Sequence, residues 1–274
     1  MKLRLHTLLV LMKKDIHMMF SNKNVIILIL LPVGFCALYQ FMFADVMQKE
    51  GMEGFTLRLC EIVNLSALPL TGLAMMVAEE KEKHTLRVLM LSDVSALEYL
   101  MSKVLVILCM MELVNVFIFF VTAAPVHALL PFLLITTITS ISVLLFGSVI
   151  GIISKDQMST GTLSTPLMVL FLIPPMFNDM NNTVARLAKF VPTTSMSDMI
   201  DAAVQGQSIL SGEFLSGFVV IIAWTLLGAA AFIFMYKKHR MDNRYEKIIS
   251  LQLCRFADLY LYIMYALAWN RHAG

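Results

Sequence analysis

The sequence predicts an all-α integral membrane protein with six transmembrane helices, an N-terminal amphipathic helix at the membrane interface and a helical cytoplasmic loop between spans 2 and 3. Three observations predict it. Of 274 residues, 59% are hydrophobic and 15% charged, and the mean hydropathy is +0.79. A soluble domain needs a more polar surface than that composition supplies. Six apolar runs approach or reach the roughly 20 residues that a helix needs to cross a bilayer. Lys and Arg gather on one side of those runs, as the positive-inside rule requires.

The first stretch, "MKLRLHTLLVLMKKDIHMMFSNK", is too interrupted by charge to span. Its apolar part before Lys13 and Lys14 makes a poor signal peptide. Leu5, Leu8, Leu9, Met12, Ile16, Met19 and Phe20 recur at helical spacing, with Arg4, Lys13, Lys14 and His17 mostly elsewhere on the wheel. A basic amphipathic helix of this kind lies in the membrane interface.

The spans follow as residues 25–44, 62–78, 104–126, 129–153, 161–177 and 214–236. The third is broken only by Glu112, and the fifth ends in Pro174 and Pro175. Backbone groups in lipid must be satisfied within their own segment, so the spans are helices. With the N-terminus inside, segments 1–24, 79–103, 154–160 and 237–274 are cytoplasmic and hold seventeen of the 21 basic residues. Only Lys49, Arg58, Arg186 and Lys189 fall outside. Both termini are then cytoplasmic.

Charge concentrates in the loop after span 2, "EEKEKHTLRVLMLSDVS". Glu79 and Lys83 stand four apart in the order that favours a helix pair, so span 2 should run on into the cytosol. Ser95 and Glu98 form an S-x-x-E capping box that would start the helix of span 3. Between them, "TLRVLMLS" is an apolar patch outside the membrane, which either returns to the bilayer surface or meets a protein.

Several classes are disfavoured. The basic residues form no arm or stripe, so nucleic acid is not a partner. Cys36, Cys60, Cys109 and Cys254 show no pairing pattern or C-x-x-C and read as small core residues, so no metal is expected. No G-x-x-x-x-G-K-[ST] is present, so the chain has no P-loop for ATP. The tail "IISLQLCRFADLYLYIMYALAWNRHAG" keeps helical spacing but is interrupted by Arg255 and Asp258, and reads as an interfacial helix rather than a seventh crossing.

The loop "EEKEKHTLRVLMLSDVSALEYLMSK" resembles the cytoplasmic loop of ABC-2 type transporter permeases, with its paired acids, T-L-x-x-L, turn, E and K. The amphipathic N-terminal helix, the six spans, "GTLSTPLMVLFLIPPMFN" as a fifth span and "KFVPTTSMSDMIDAAVQG" as a proline-bearing re-entrant or extracellular helix agree with that family. The resemblance covers residues 1–240 as a permease domain and leaves 241–274 as a cytoplasmic tail. Many members have Gly before Thr-Leu, where this chain has His84.

The resemblance implies that the loop contains a coupling helix seated on a separate ATP-hydrolysing subunit. Thr85, Leu86, Arg87, Leu89, Met90 and Leu91 would make that contact, with Glu79, Glu80 and Glu82 on its approach. It implies two copies of an ABC ATPase carrying ATP and Mg, a second permease copy or paralogue, and export across a bacterial cytoplasmic membrane. With few charges in the spans, the cargo expected is hydrophobic or amphiphilic: a drug, an antimicrobial peptide or a lipid-like molecule. The chain itself would be a transport subunit and not an enzyme.

Within the spans, Glu112 lies near the midplane with Asn115 close by. An ionisable residue there is a candidate for the translocation path, or a hydrogen-bonded carboxyl that only locks helices. Thr136, Thr137, Thr139, Ser140 and Ser142 of span 4 are its candidate partners. Gly147 and Gly151 form a small-xxx-small motif for helix packing. An ion- or proton-coupled secondary transporter using Glu112 is one alternative, although such carriers usually show internal repeats. A membrane-embedded protease is another. It would need converging zinc ligands, whereas His6, His17, His84, His127, His239 and His272 all sit in loops or ends.

Overall fold

The computed structural model describes residues 4–42, 54–85, 89, 94–177, 182–207 and 214–238. They are helical almost throughout, with no strand among them. In order, the elements are α1 (Leu5–Ser21), α2 (Lys23–Met42), α3 (Phe55–Leu65), α4 (Leu73–Glu82), α5 (Ala96–Val121), α6 (Leu129–Ile153), α7 (Gln157–Phe177), α8 (Asn182–Ala188), α9 (Pro192–Val204) and α10 (Leu215–Lys238). Six helical segments are long and apolar enough to cross a membrane: Lys23–Met42, Phe55–Glu82, Glu98–Val121, Val126–Ile153, Gln157–Phe177 and Leu215–Met235. The apolar tail and the ends of some loops lie outside the described residues.

The second span is longer than the uncharged run at 62–78. It begins at Phe55, joins α3 to α4 through a π-helical stretch at Ser66–Gly72, and carries Glu61 inside it. Pro69 sits in that stretch. Proline lacks the N–H that a regular α-helix would use, and a locally widened turn accommodates it. This span is the axis of the fold, with nearly every residue from Thr56 to Glu80 buried. Helix α6 packs against it through glycine. A Cβ at Gly147 would lie 2.5 Å from the Pro69 carbonyl oxygen, and one at Gly151 would lie 2.8 Å from Val77 Cβ. The two backbones therefore approach as only small residues allow.

The ends of the bundle are closed by short elements. Pro192 opens α9 at its first turn, where a missing N–H costs nothing. Most of α9 is buried, held by Thr193, which donates to the Phe171 carbonyl at 2.6 Å, and by Arg58, paired with Asp201. The Trp224 indole donates to the Phe190 carbonyl at 2.7 Å. By contrast α2, α7 and α10 leave large apolar side chains exposed, among them Leu30, Phe41, Leu163, Val219 and Phe234. That is the surface a bilayer or a second membrane subunit covers.

Helix α1 divides its apolar residues between two sides. Leu8, Leu11 and Met19 are buried, whereas Leu5, Leu9, Ile16 and Phe20 are exposed. The buried stripe contains an acid, Asp15, with no solvent exposure. Its partners make the first of two polar clusters.

Candidate functional site

The first cluster lies where α4 leaves the bundle. Asp15 accepts from Lys103 Nζ at 2.8 Å and from Ser102 Oγ at 2.6 Å. Lys103 also reaches Glu80 Oε1 at 3.1 Å and stands 4.9 Å from the centre of the Tyr99 ring. Glu80 in turn pairs with Lys14. Two acids and two lysines from α1, α4 and α5 thus neutralise one another, which is what burial of charge demands. Beside them Asn22 donates to Glu79 and, at 2.9 Å, to Gln157 Oε1. Lys81 Nζ donates to the Ile152 carbonyl at 2.7 Å and also to that of Ser154.

The approach to the charged loop is therefore wired into the chain itself. Glu79 and Glu80 are buried. Glu82 is exposed and accepts from the Gln157 N–H at 3.2 Å. Lys83 pairs with Glu79 one turn back, and that hydrogen bond raises its pKa. The helix stops at His84, whose φ of 56° is left-handed. Gly is the residue that meets this geometry without a Cβ clash, and helices very commonly end on one. Thr85 is exposed and Leu89 half-buried. Leu86, Arg87, Met90 and Leu91 lie outside the described residues. On the far side the capping box forms: Ser95 Oγ accepts from the Glu98 N–H at 3.1 Å, and Glu98 accepts from the Ser95 N–H at 3.0 Å. Glu98 also takes the Arg4 backbone N–H at 3.0 Å, tying the start of α1 to the start of α5.

The second cluster is inside the bundle. Glu112 accepts from Thr137 Oγ1 at 2.9 Å, and from Thr136 Oγ1 and Asn115 Nδ2 at 3.3 Å each. Asn115 Oδ1 accepts from Asn64 Nδ2 at 2.6 Å. Thr139, Ser140 and Ser142 do not join; each bonds a carbonyl of its own helix. A second carboxylate does join. Glu61 on α3 has no solvent exposure, stands beside Asn64 and Asn115, and lies within electrostatic reach of Glu112. Neither Glu61 oxygen has a hydrogen-bond partner. Its position at the edge of an apolar run hid it in the sequence. The signal that could have found it is the pairing of Glu61–Asn64 with Glu112–Asn115, an acid and an amide three apart in each of two neighbouring spans. Among the described residues no His, Cys, Asp and Glu group is arranged to hold a metal ion.

Geometrically, the first cluster ties the end of α4 to α1, α5 and α6 by buried or part-buried polar contacts and to α7 by an exposed one. The second offers a polar patch within the membrane-spanning part of the bundle. A family model described as "ABC-2 family transporter protein" matches residues 47–236. No curated protein and no solved structure matches the chain.

Proposed function

The chain belongs to the ABC-2 transporter family, and on that premise we propose that it is the permease subunit of an ATP-driven exporter, powered by a separate ATPase bound at the loop after span 2. Two ATPase copies carry the ATP and Mg, and a second permease copy or a paralogue completes the pathway. The carrying observation is the anchoring of that loop. Helix α4 reaches it as a continuation of the buried second span, and the acids before it are fixed by Lys14, Lys83, Lys103 and Asn22. A force that reaches Thr85 passes from α4 into polar contacts with α1, α5, α6 and α7.

The contact itself falls to Thr85, Leu86, Arg87, Leu89, Met90 and Leu91. An apolar patch flanked by charge suits such an interface: apolar burial supplies affinity, and charges set register and partner choice. The orientation is that of a multi-pass protein of a bacterial cytoplasmic membrane with both termini inside. The cargo is hydrophobic or amphiphilic, and Glu112 with Asn115 lies along its path.

Affinity capture of the tagged chain from gently solubilised membranes tests the reading. A soluble ATPase should accompany the wild type and be lost with Leu86→Asp and Leu89→Asp. Wild-type protein that captures no ATPase would remove the proposal's central support. Export that is unchanged in Glu112→Gln would remove that residue from the path.

A further inference from the structure

We propose that Glu61 and Glu112 form an intramembrane proton-binding site, in which Glu61 carries the proton and Glu112 the negative charge. The placement argues for it. Glu61 is six residues into the span that begins at Phe55, and Glu112 nine residues from the end of the span at Val121. At 1.5 Å per residue both are roughly 9–13 Å inside the same end of the bundle. Neither carboxylate has an ion-pair partner among the described residues, whereas at the other end of the bundle every buried acid is matched by a cation. Two adjacent unpaired negative charges cannot both persist in such surroundings.

The hydrogen bonds assign the proton. All three donors in the cluster that reach a carboxylate within normal distance, from Thr136, Thr137 and Asn115, point to Glu112. That is the environment of an anion. Glu61 has two buried oxygens on which no hydrogen bond closes: the side-chain amides of Asn64 and Asn115 lie beside it but close their bonds on Asn115 Oδ1 and Glu112. A buried carboxylate that closes neither an ion pair nor a hydrogen bond is relieved by a proton on one of its oxygens. Binding forms one O–H bond on Glu61, taking the proton from water; release returns it to water admitted as the spans move. The other titratable groups within electrostatic reach of Glu61 are Cys60 on its own helix and Glu112 from α5; Cys36 and Tyr39 of α2 face Cys60, and Arg58 and Asp201 pair with each other a turn outward. Neither α6 nor α7 contributes any. The inference does not depend on the ATPase partnership, since it concerns only this chain in its membrane.

The test is infrared spectroscopy of the full chain reconstituted in lipid vesicles at neutral pH, with Glu61→Gln and Glu112→Gln. The expected result is a protonated-carboxyl band in the wild type that disappears in Glu61→Gln and persists, shifted, in Glu112→Gln. Glutamine mimics a protonated Glu61, so that variant should also melt close to the wild type, while Glu112→Gln, which replaces the anion its donors hold, should melt earlier. Should Glu61→Gln fail to yield protein, Glu61→Asp must move the band. A band that ignores changes at Glu61 overturns the proposal. So does a wild type that lacks the band and instead gains thermal stability with added Na⁺ or K⁺, which would mark a metal cation as the occupant.

Discussion

Lys103 and Asp15 meet at 2.8 Å with both side chains closed off from solvent. They join an interface helix to the start of span 3, 88 residues apart in the chain. Removing one member of a buried ion pair leaves an uncompensated charge and costs about 3–5 kcal/mol. Asp15→Leu or Lys103→Met alone should therefore lower the stability of the purified protein by about that much in a denaturant titration in micelles. The double substitution should recover most of the loss, because Lys14 still neutralises Glu80. Additive losses in the double variant would show that the two residues act independently.

Gly147 makes a second, sharper expectation. A Cβ there would sit 2.5 Å from the Pro69 carbonyl oxygen and 2.7 Å from that of Leu70, both backbone atoms that cannot swing aside. Overpacking of this kind costs about 1–3 kcal/mol. Gly147→Ala should destabilise by that amount. Gly34→Ala and Gly161→Ala, where the added carbon meets nothing within 4 Å, should be neutral or slightly stabilising. Thermal melts of the three variants decide it, and equal effects at all three positions would refute the close approach of α6 to span 2.

These positions also show what the sequence made legible. Helix α6 is Leu129–Ile153, the same 25 residues that the sequence predicts for span 4, because no charged residue interrupts it and Ser154 ends it. Span 2 was not so legible. A run counted to the first charge stops at Ile62, whereas the helix begins at Phe55 and buries Glu61. That burial depends on α5, which supplies Glu112 and Asn115 from about 50 residues away. Periodicity within one helix carries no information about such a neighbour. Helix α1 makes the same point. Its apolar positions announce amphipathicity, yet they cannot say which go inward. The structure turns Leu8, Leu11 and Met19 in with Asp15, and leaves Leu5, Leu9, Ile16 and Phe20 out. Asp15 is inward because Lys103 waits there, and Lys103 by itself looks like one more cytoplasmic cation. The capping box at Ser95 and the Glu79–Lys83 pair were legible because each is complete within four residues.

His84, the departure from the family pattern before Thr85, carries a stability cost. Its φ of 56° places a Cβ where L-residues are strained, at roughly 1 kcal/mol. His84→Gly should relieve most of that, and His84→Val, branched at Cβ, should add to it. Hydrogen exchange at the Lys83 N–H, which closes the last turn on the Glu79 carbonyl at 2.9 Å, reads the local effect. Glycine and valine shifting protection in the same direction would exclude strain at this residue.

Asp156 gives a pH-dependent signature at the start of span 5. Its Oδ1 accepts the Ser159 N–H at 2.8 Å, an N-terminal cap for α7. The backbone and hydroxyl of Ser159 favour the ionised form and lower the Asp156 pKa. A carboxyl whose pKa is lower folded than unfolded stabilises fully above its unfolded value. That contribution fades as the pH falls through the lower, folded value. Protection of the Ser159 amide should thus be constant near neutrality and drop in acid. Asp156→Asn keeps an acceptor at the same place but cannot titrate, so its protection should not fall with acid; Asp156→Ala should lose protection at every pH. The comparison is made by hydrogen exchange in nanodiscs, with protection factors corrected for intrinsic exchange. An asparagine variant that loses protection in acid as the wild type does would move the titrating group away from Asp156, to a neighbour such as Glu82 on the Gln157 N–H.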